Sequence, residues 1–235
     1  MQAKYSRTLL FVSLLAACMG GKGEPAPPGD SIRVAQTPAG GTAPTVLIVG
    51  TSLTAGLGLD PSQAWPAVLQ EIIDSAGLAL RVVNAGVSGE TSAGALRRVD
   101  WLLQREPPAA FMLETGGNDG LRGQDPDSLK ANILAILARA RHLQPSPRLV
   151  LFAMEAPPNL GDEYTRRFRA VYPEAAKAAG ATLVPFFLAG IAGVDTLNQP
   201  DGIHPTARGA RLAAEQAWKV LEPLFREIAR GIRSR

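Results

Sequence analysis

A chain of 235 residues, 46% apolar and 19% charged, has the composition of an ordinary globular protein, with length for one domain and an extra segment. Its formal charge of +3 comes without a basic block or a basic stripe interleaved with aromatics, which argues against a nucleic-acid partner. The single cysteine, Cys18, excludes an internal disulfide and a cysteine-built zinc cluster.

Residues 1–17 read as a signal peptide. Lys4 and Arg7 supply a positive start, and residues 8–17 form a mainly apolar run. That run is far shorter than the roughly 20 residues needed to span a bilayer. It ends in Leu15-Ala16-Ala17-Cys18, which resembles the lipobox of bacterial lipoproteins. The resemblance implies cleavage before Cys18 and lipidation of its thiol; the alternative is an ordinary cleavable signal followed by an incidental cysteine. Several acyl chains would anchor stably where one anchors weakly. Residues 18–44 are dominated by Gly, Pro, Ala and small polar residues and read as a flexible tether. The expectation is an exported lipoprotein held to a membrane through Cys18 and facing the periplasm or cell surface.

Residues 45–235 read as one folded domain. A β-branched strand at 46–49 is followed by a helix over 62–76, with Trp65, Val68, Leu69, Ile72 and Ile73 on one face. A strand at 81–84 precedes a helix over 92–104, on which Leu96, Val99 and Leu103 share a stripe. A strand at 109–114 leads to a helix over 127–142, and a strand at 148–154 to a helix over 162–179. A short strand at 182–185 comes before a closing helix over 206–232. Short strands alternating with helices of twelve or more residues predict βαβ units with right-handed crossovers. The fold class is therefore α/β, a three-layer α/β/α sandwich around a mostly parallel five-stranded sheet. Reactive groups in such sheets gather beyond the carboxyl ends of the strands.

Four segments at those ends carry chemistry. Gly50-Thr51-Ser52-Leu53-Thr54 could present a serine hydroxyl at the sheet edge, or merely cap a helix. In Asn84-Ala85-Gly86-Val87-Ser88-Gly89-Glu90-Thr91 the glycines permit close backbone approach, although a plain loop has the same composition. Gly116-Gly117-Asn118-Asp119-Gly120 offers an amide donor for a developing oxyanion, or a tight turn. In Asp201-Gly202-Ile203-His204-Pro205 the carboxylate lies three residues ahead of an imidazole, so one ring nitrogen can be held while the other faces a nucleophile. The only other histidine, His142, closes a helix and suits the negative end of its dipole. His204 is thus the candidate base.

Taken in order, Ser52, Gly89, Asn118 and His204 resemble the four blocks of the SGNH hydrolases, also called GDSL esterases. The resemblance covers about residues 45–232 and extends to Ala64-Trp65-Pro66, Val83-Asn84-Ala85 and Pro185-Phe186-Phe187. It points to the bacterial periplasmic branch, which holds thioesterases, lysophospholipases and arylesterases. It implies the flavodoxin-like SGNH fold and cleavage of small carboxylic esters or thioesters without metal or organic cofactor; a monomer is expected. By the same resemblance Ser52, Asp201 and His204 are catalytic. Ser52, Gly89 and Asn118 form the oxyanion hole. The loops 119–124 and 156–161 border the acyl pocket, with Asp119, Leu121, Ala156 and Pro157 binding substrate. Glu155, an unusual charge at a strand end, could meet the substrate, but is expected rather to pair with a nearby arginine such as Arg122. The first block departs from the family's Gly-Asp-Ser-Leu, since Thr51 replaces the acidic residue; an altered rate or substrate preference is expected. Two rivals stand beside the esterase: a carbohydrate O-deacetylase with the same blocks, and a silent surface-binding lipoprotein.

Overall fold

The structure is a computed structural model that describes residues 43–233. The signal peptide, Cys18 and almost all of the tether lie outside the described residues. All six residues of strand β1 (Thr45–Gly50) are buried. An unbroken Val46-Leu47-Ile48-Val49 run suits a strand covered on both faces, where alternation has no purpose. Strand β3 (Ala110–Glu114) is buried throughout, and β4 (Arg148–Phe152) is buried past Arg148. Strands β2 (Arg81–Gly86) and β5 (Thr182–Val184) are only partly buried. That gradient matches the strand order, β2-β1-β3-β4-β5, which places them at the two edges. Every strand pair is parallel, with Gly50 opposite Gly86 and Ile48 opposite Met112.

The chain moves one way along the sheet from β1 to β2 and the other way from β2 to β3. Right-handed crossovers therefore put the intervening helices on opposite faces. Helix α1 (Ser52–Ala55) follows β1, and helix α2 (Trp65–Ser75) leads on to β2. Helices α3 (Ser92–Arg105), α4 (Gly117–Leu121), α5 (Pro126–Arg141), α6 (Asp162–Ala179) and α7 (Ala207–Arg233) come after. Helix α2 packs against α7, while α3 packs on α5 and α5 on α6. The order reverses between β1 and β3, and the crevice at their carboxyl ends is where sheets of this topology hold ligands.

Four predicted helices appear close to their expected bounds, α6 with the same ends despite Pro173 inside it. The first differs. Asp60 caps a 3-10 turn at Pro61–Gln63, and α2 begins only at Trp65. Pro66 then falls in the first turn, where a missing N–H costs no helical bond. The short helices α1 and α4 are not among the predicted elements; Ser, Thr, Gly and Asn have weak helix propensity. Tertiary hydrogen bonds hold both.

Behind the sheet's carboxyl edge, Trp65, Phe152 and Phe187 form a triangle with ring centroids 5.3, 5.5 and 5.2 Å apart at mutual tilts of 50–73°. It locks α2 and the end of β4 to the segment after β5, and all three side chains are at most 2% exposed. Truncating one removes its transfer energy, its edge-to-face contacts and the filling of a packed space. Phe152→Ala should lower unfolding free energy by about 3–5 kcal/mol, read from urea midpoints at unchanged slope.

Candidate active site

Ser52 opens α1 directly beyond the buried strand β1. Thr51 caps that helix, its hydroxyl accepting from Leu53 N–H at 3.4 Å. The turn is fastened from below by Glu114, the last residue of β3, which has no exposed surface. Its Oε2 accepts from Thr51 N–H at 2.8 Å and from the Thr54 hydroxyl at 2.9 Å. The Thr51 hydroxyl lies 3.0 Å from either carboxylate oxygen. Burial pushes the Glu114 carboxyl above its ordinary range, and these hydrogen bonds pull part of the way back. From the other side Asn84 donates to Thr54 C=O at 2.8 Å. Gly86 must be a glycine, because a Cβ there would strike the α1 backbone at Thr54 and Ala55.

The ring of His204 reaches Ser52 across 152 residues of sequence, with Nε2 2.8 Å from Oγ. Its Nδ1 lies 2.6 Å from Asp201 Oδ2. Asp201 also accepts from the N–H groups of Ile203 and His204 at 2.9 and 3.0 Å through Oδ1. These bonds, the His204 N–H first, hold its carboxyl down to about 2. With its side chain 44% exposed, the carboxylate is also solvated, and it is ionised in neutral water. Gln199 N–H donates to His204 C=O at 2.7 Å. The Gln199 side-chain amide donates to Leu57 C=O at 2.7 Å and Pro205 C=O at 3.0 Å, strapping the histidine loop to the segment after α1. No signal in the sequence singled out Gln199.

Asn118 is the second residue of α4, and Gly116 caps that helix in the left-handed region at φ 102°. Tyr172 donates to Thr115 C=O at 3.0 Å and so grips the same turn. One N–H of the Asn118 amide is directed at Glu90 C=O, with Nδ2 2.9 Å away. A primary amide has a second N–H to give. Gly89, with φ 76°, precedes Glu90, and its N–H has no acceptor among the described residues. The first N–H groups of a helix, Ser52 among them, have no intrahelical partner.

A groove of about 530 Å³ opens over these groups, lined by Ser52, Gly89, Asn118 and His204 at its polar end. Leu121, Ala156 and Pro157 line it, together with Met154 and Phe186. Asp119 is a correction. Its side chain turns inward at 2% exposure, accepting from Ser92 N–H at 2.9 Å and the Ser92 hydroxyl at 2.5 Å. Asn132 donates to that hydroxyl at 2.9 Å. Asp119 therefore fixes α4 to α3 and α5 and does not face substrate. Glu155 pairs with an arginine as expected, but with a different one. It pairs with Arg169 through three bonds of 2.7–3.0 Å, while Arg122 donates to Gly89 C=O at 3.0 Å. His142 is the C-cap of α5, the structural place assigned to it.

The model of the GDSL-like lipase/acylhydrolase family matches residues 48–212, more than half of the chain. The chain belongs to that family. This GDSL hydrolase is 44% identical over 183 residues to esterase TesA of Pseudomonas aeruginosa, spanning 78% of this chain and 90% of that protein. It is 37% identical over 182 residues to thioesterase 1/protease 1/lysophospholipase L1 of Escherichia coli (strain K12), spanning 77% and 85%. The crystal structure of TesA aligns with a TM-score of 0.73 at 44% identity, over 77% of this chain and 99% of that one. The sheet and flanking helices are thus the SGNH α/β fold, and the chain is a carboxylic ester hydrolase of GDSL type.

Within this GDSL hydrolase, Thr51 stands where the family motif has Asp, and it faces a fully buried carboxyl. Thr51→Asp would bring two carboxyls together, so one would hold a proton well above its ordinary range. A raised folded-state pKa stabilises below the unfolded value of about 4 and is lost as pH rises. The stability of Thr51→Asp relative to wild type should therefore fall from pH 5 to pH 8, measured by urea unfolding. A difference independent of pH would show that the new carboxyl avoids Glu114.

Proposed function

We propose that Ser52, His204 and Asp201 act as nucleophile, base and orienting acid in cleaving small carboxylic esters and thioesters through an acyl-enzyme. The observation that carries this reading is the 2.8 Å approach of His204 Nε2 to Ser52 Oγ at the polar end of the groove. In the first half-reaction Ser52 Oγ attacks the acyl carbon as His204 Nε2 takes its proton. Asp201 holds the ring by Nδ1 and stabilises the imidazolium. The oxyanion is received by the N–H groups of Ser52 and Gly89 and by the free N–H of Asn118. His204 then protonates the departing alcohol or thiol. Water, deprotonated by the same ring, releases the acid and restores Ser52. Each oxyanion donor of this kind contributes about 10²–10³ in kcat.

The groove supports one substrate class over the other. Its volume lies within the range of about 300–1,000 Å³ typical of small-molecule sites. Away from the polar end its walls are mainly leucines, prolines, Met154, Phe186 and Ile203. Such a surface suits an acyl or aryl group better than a polyhydroxylated sugar, which favours the esterase over the carbohydrate O-deacetylase. The assembled polar end disfavours the silent binder.

On p-nitrophenyl esters from acetate to decanoate, the full chain should release nitrophenol, with Ser52→Ala at least about 10³-fold slower. Equal slow release by both proteins would count against the hydrolytic triad. Preference for an acetylated-sugar panel would move the substrate assignment to the deacetylase.

No helix among the described residues is long and apolar enough to cross a membrane. We infer export and anchoring from the leader and from Cys18, both outside the described residues. Cys18→Ala should shift the protein from the membrane pellet to the soluble fraction after export. An unchanged partition would argue against the lipid anchor.

A further inference from the structure

Behind the oxyanion side lies an ion pair that the acyl-transfer steps do not use. Arg98, on the inner side of α3, donates from Nε to Glu90 Oε1 at 2.7 Å and from Nη2 to Glu90 Oε2 at 2.6 Å. The two side chains are only 13% and 9% exposed. The same Nη2 donates to Ala85 C=O at 2.7 Å and approaches Gly50 C=O at 3.5 Å. One guanidinium thus touches the last residue of β1, the end of β2 and the loop that follows β2.

Those three places carry the working groups. Gly50 is two residues before Ser52. Glu90 follows Gly89 directly, so a displacement of Glu90 acts through the Gly89 Cα on the preceding Ser88–Gly89 peptide, which presents the Gly89 N–H. The Glu90 carbonyl is also the acceptor that orients the Asn118 amide at 2.9 Å. If Glu90 slides, both donors leave the oxyanion position together. A planar fork of fixed geometry prevents that slide, and an ammonium cannot reproduce a two-point grip while also bonding a carbonyl.

We propose that Arg98 is a positioning residue for oxyanion stabilisation, acting through Glu90 on Gly89 and Asn118. The proposal rests on the acyl-transfer reading above. A purely architectural ion pair is the competing account, and it makes different demands. Loss of architecture lowers melting temperature and leaves kcat of the folded protein unchanged. Loss of positioning lowers kcat while KM stays nearly constant, because the donors matter more in the transition state than in the ground state.

The test uses the full chain with p-nitrophenyl butyrate, well below the melting temperature of each variant. Arg98→Ala should lose about 10- to 100-fold in kcat, the scale of a small misplacement of catalytic groups, with KM changed less than about twofold. Millimolar guanidinium should restore part of that loss in Arg98→Ala. Arg98→Lys should keep the fold, remain slow and gain nothing from guanidinium. The decisive measurement is a double-mutant cycle with Asn118→Ala. In that background Arg98→Ala should cost less than it does in the wild-type chain, since one of the two donors it helps to hold is already gone.

A full additional loss in the Asn118→Ala background would overturn the proposal. So would a folded Arg98→Ala protein with wild-type kcat. Wild-type activity that survives Ser52→Ala would instead sink the acyl-transfer reading, and this inference with it. Activity that needs Ser52 but ignores Arg98 sinks the inference alone.

Discussion

A serine can stand reactive at the end of a fully buried strand only if the turn beneath it is satisfied from inside the protein. Glu114 meets that condition. Its one carboxyl receives a backbone N–H and two hydroxyls from the Thr51–Thr54 segment, where no water is needed. An unsatisfied buried donor costs about 1–3 kcal/mol, so losing this acceptor would free several such penalties at once. Relaxation of the turn would then carry Ser52 Oγ away from the histidine ring. The buried carboxyl exacts a desolvation cost of its own, visible in its raised proton affinity. Positions 51 and 54 are threonines, which offer donors and add no second charge. The departure from the family motif at position 51 thus fits its surroundings chemically.

The rest of the site follows a division of labour between a polar back and an apolar front. Behind the strands' carboxyl ends, Glu114, Asn84, Arg98, Glu90, Asp119 and Ser92 bond to one another's segments and fix three loops. In front, the groove offers mostly carbon. Polar groups buried with partners make a stiff support, since each has one arrangement that satisfies it. The apolar walls impose shape without direction. Such a site would be exacting about the reacting carbonyl and lenient about what is attached to it.

Much of this was legible in the sequence. The helix over Asp162–Ala179 appears at its expected ends, because its apolar stripe and Gly180 just past its end outweigh Pro173. The strands announced themselves as short aliphatic runs, the first closed by Gly50 and the second by Asn84. The candidate residues stood out because polar groups with glycines are conspicuous after such runs. What remained hidden depends on distance in the chain. Asp119 looks like a groove residue by its place beside Asn118, yet one turn of helix points it at Ser92, 27 residues earlier. Glu155 looked for an arginine, and only packing could choose Arg169 over Arg122. Gln199 carries no local mark at all, since its role is a bond to Leu57, 142 residues away.

Asp201 and His204 lie three residues apart on a single loop, joined both by the side-chain bond and by two backbone N–H groups of that loop. They form a prefabricated unit whose internal alignment does not depend on the sheet. A unit of this kind moves as one body, so drift or insertion in the preceding segment 185–197 changes its placement against the hydroxyl and leaves its internal alignment intact. What evolution or a protein engineer must then tune is the placement of one module, a task the Gln199 strap to Leu57 already performs here.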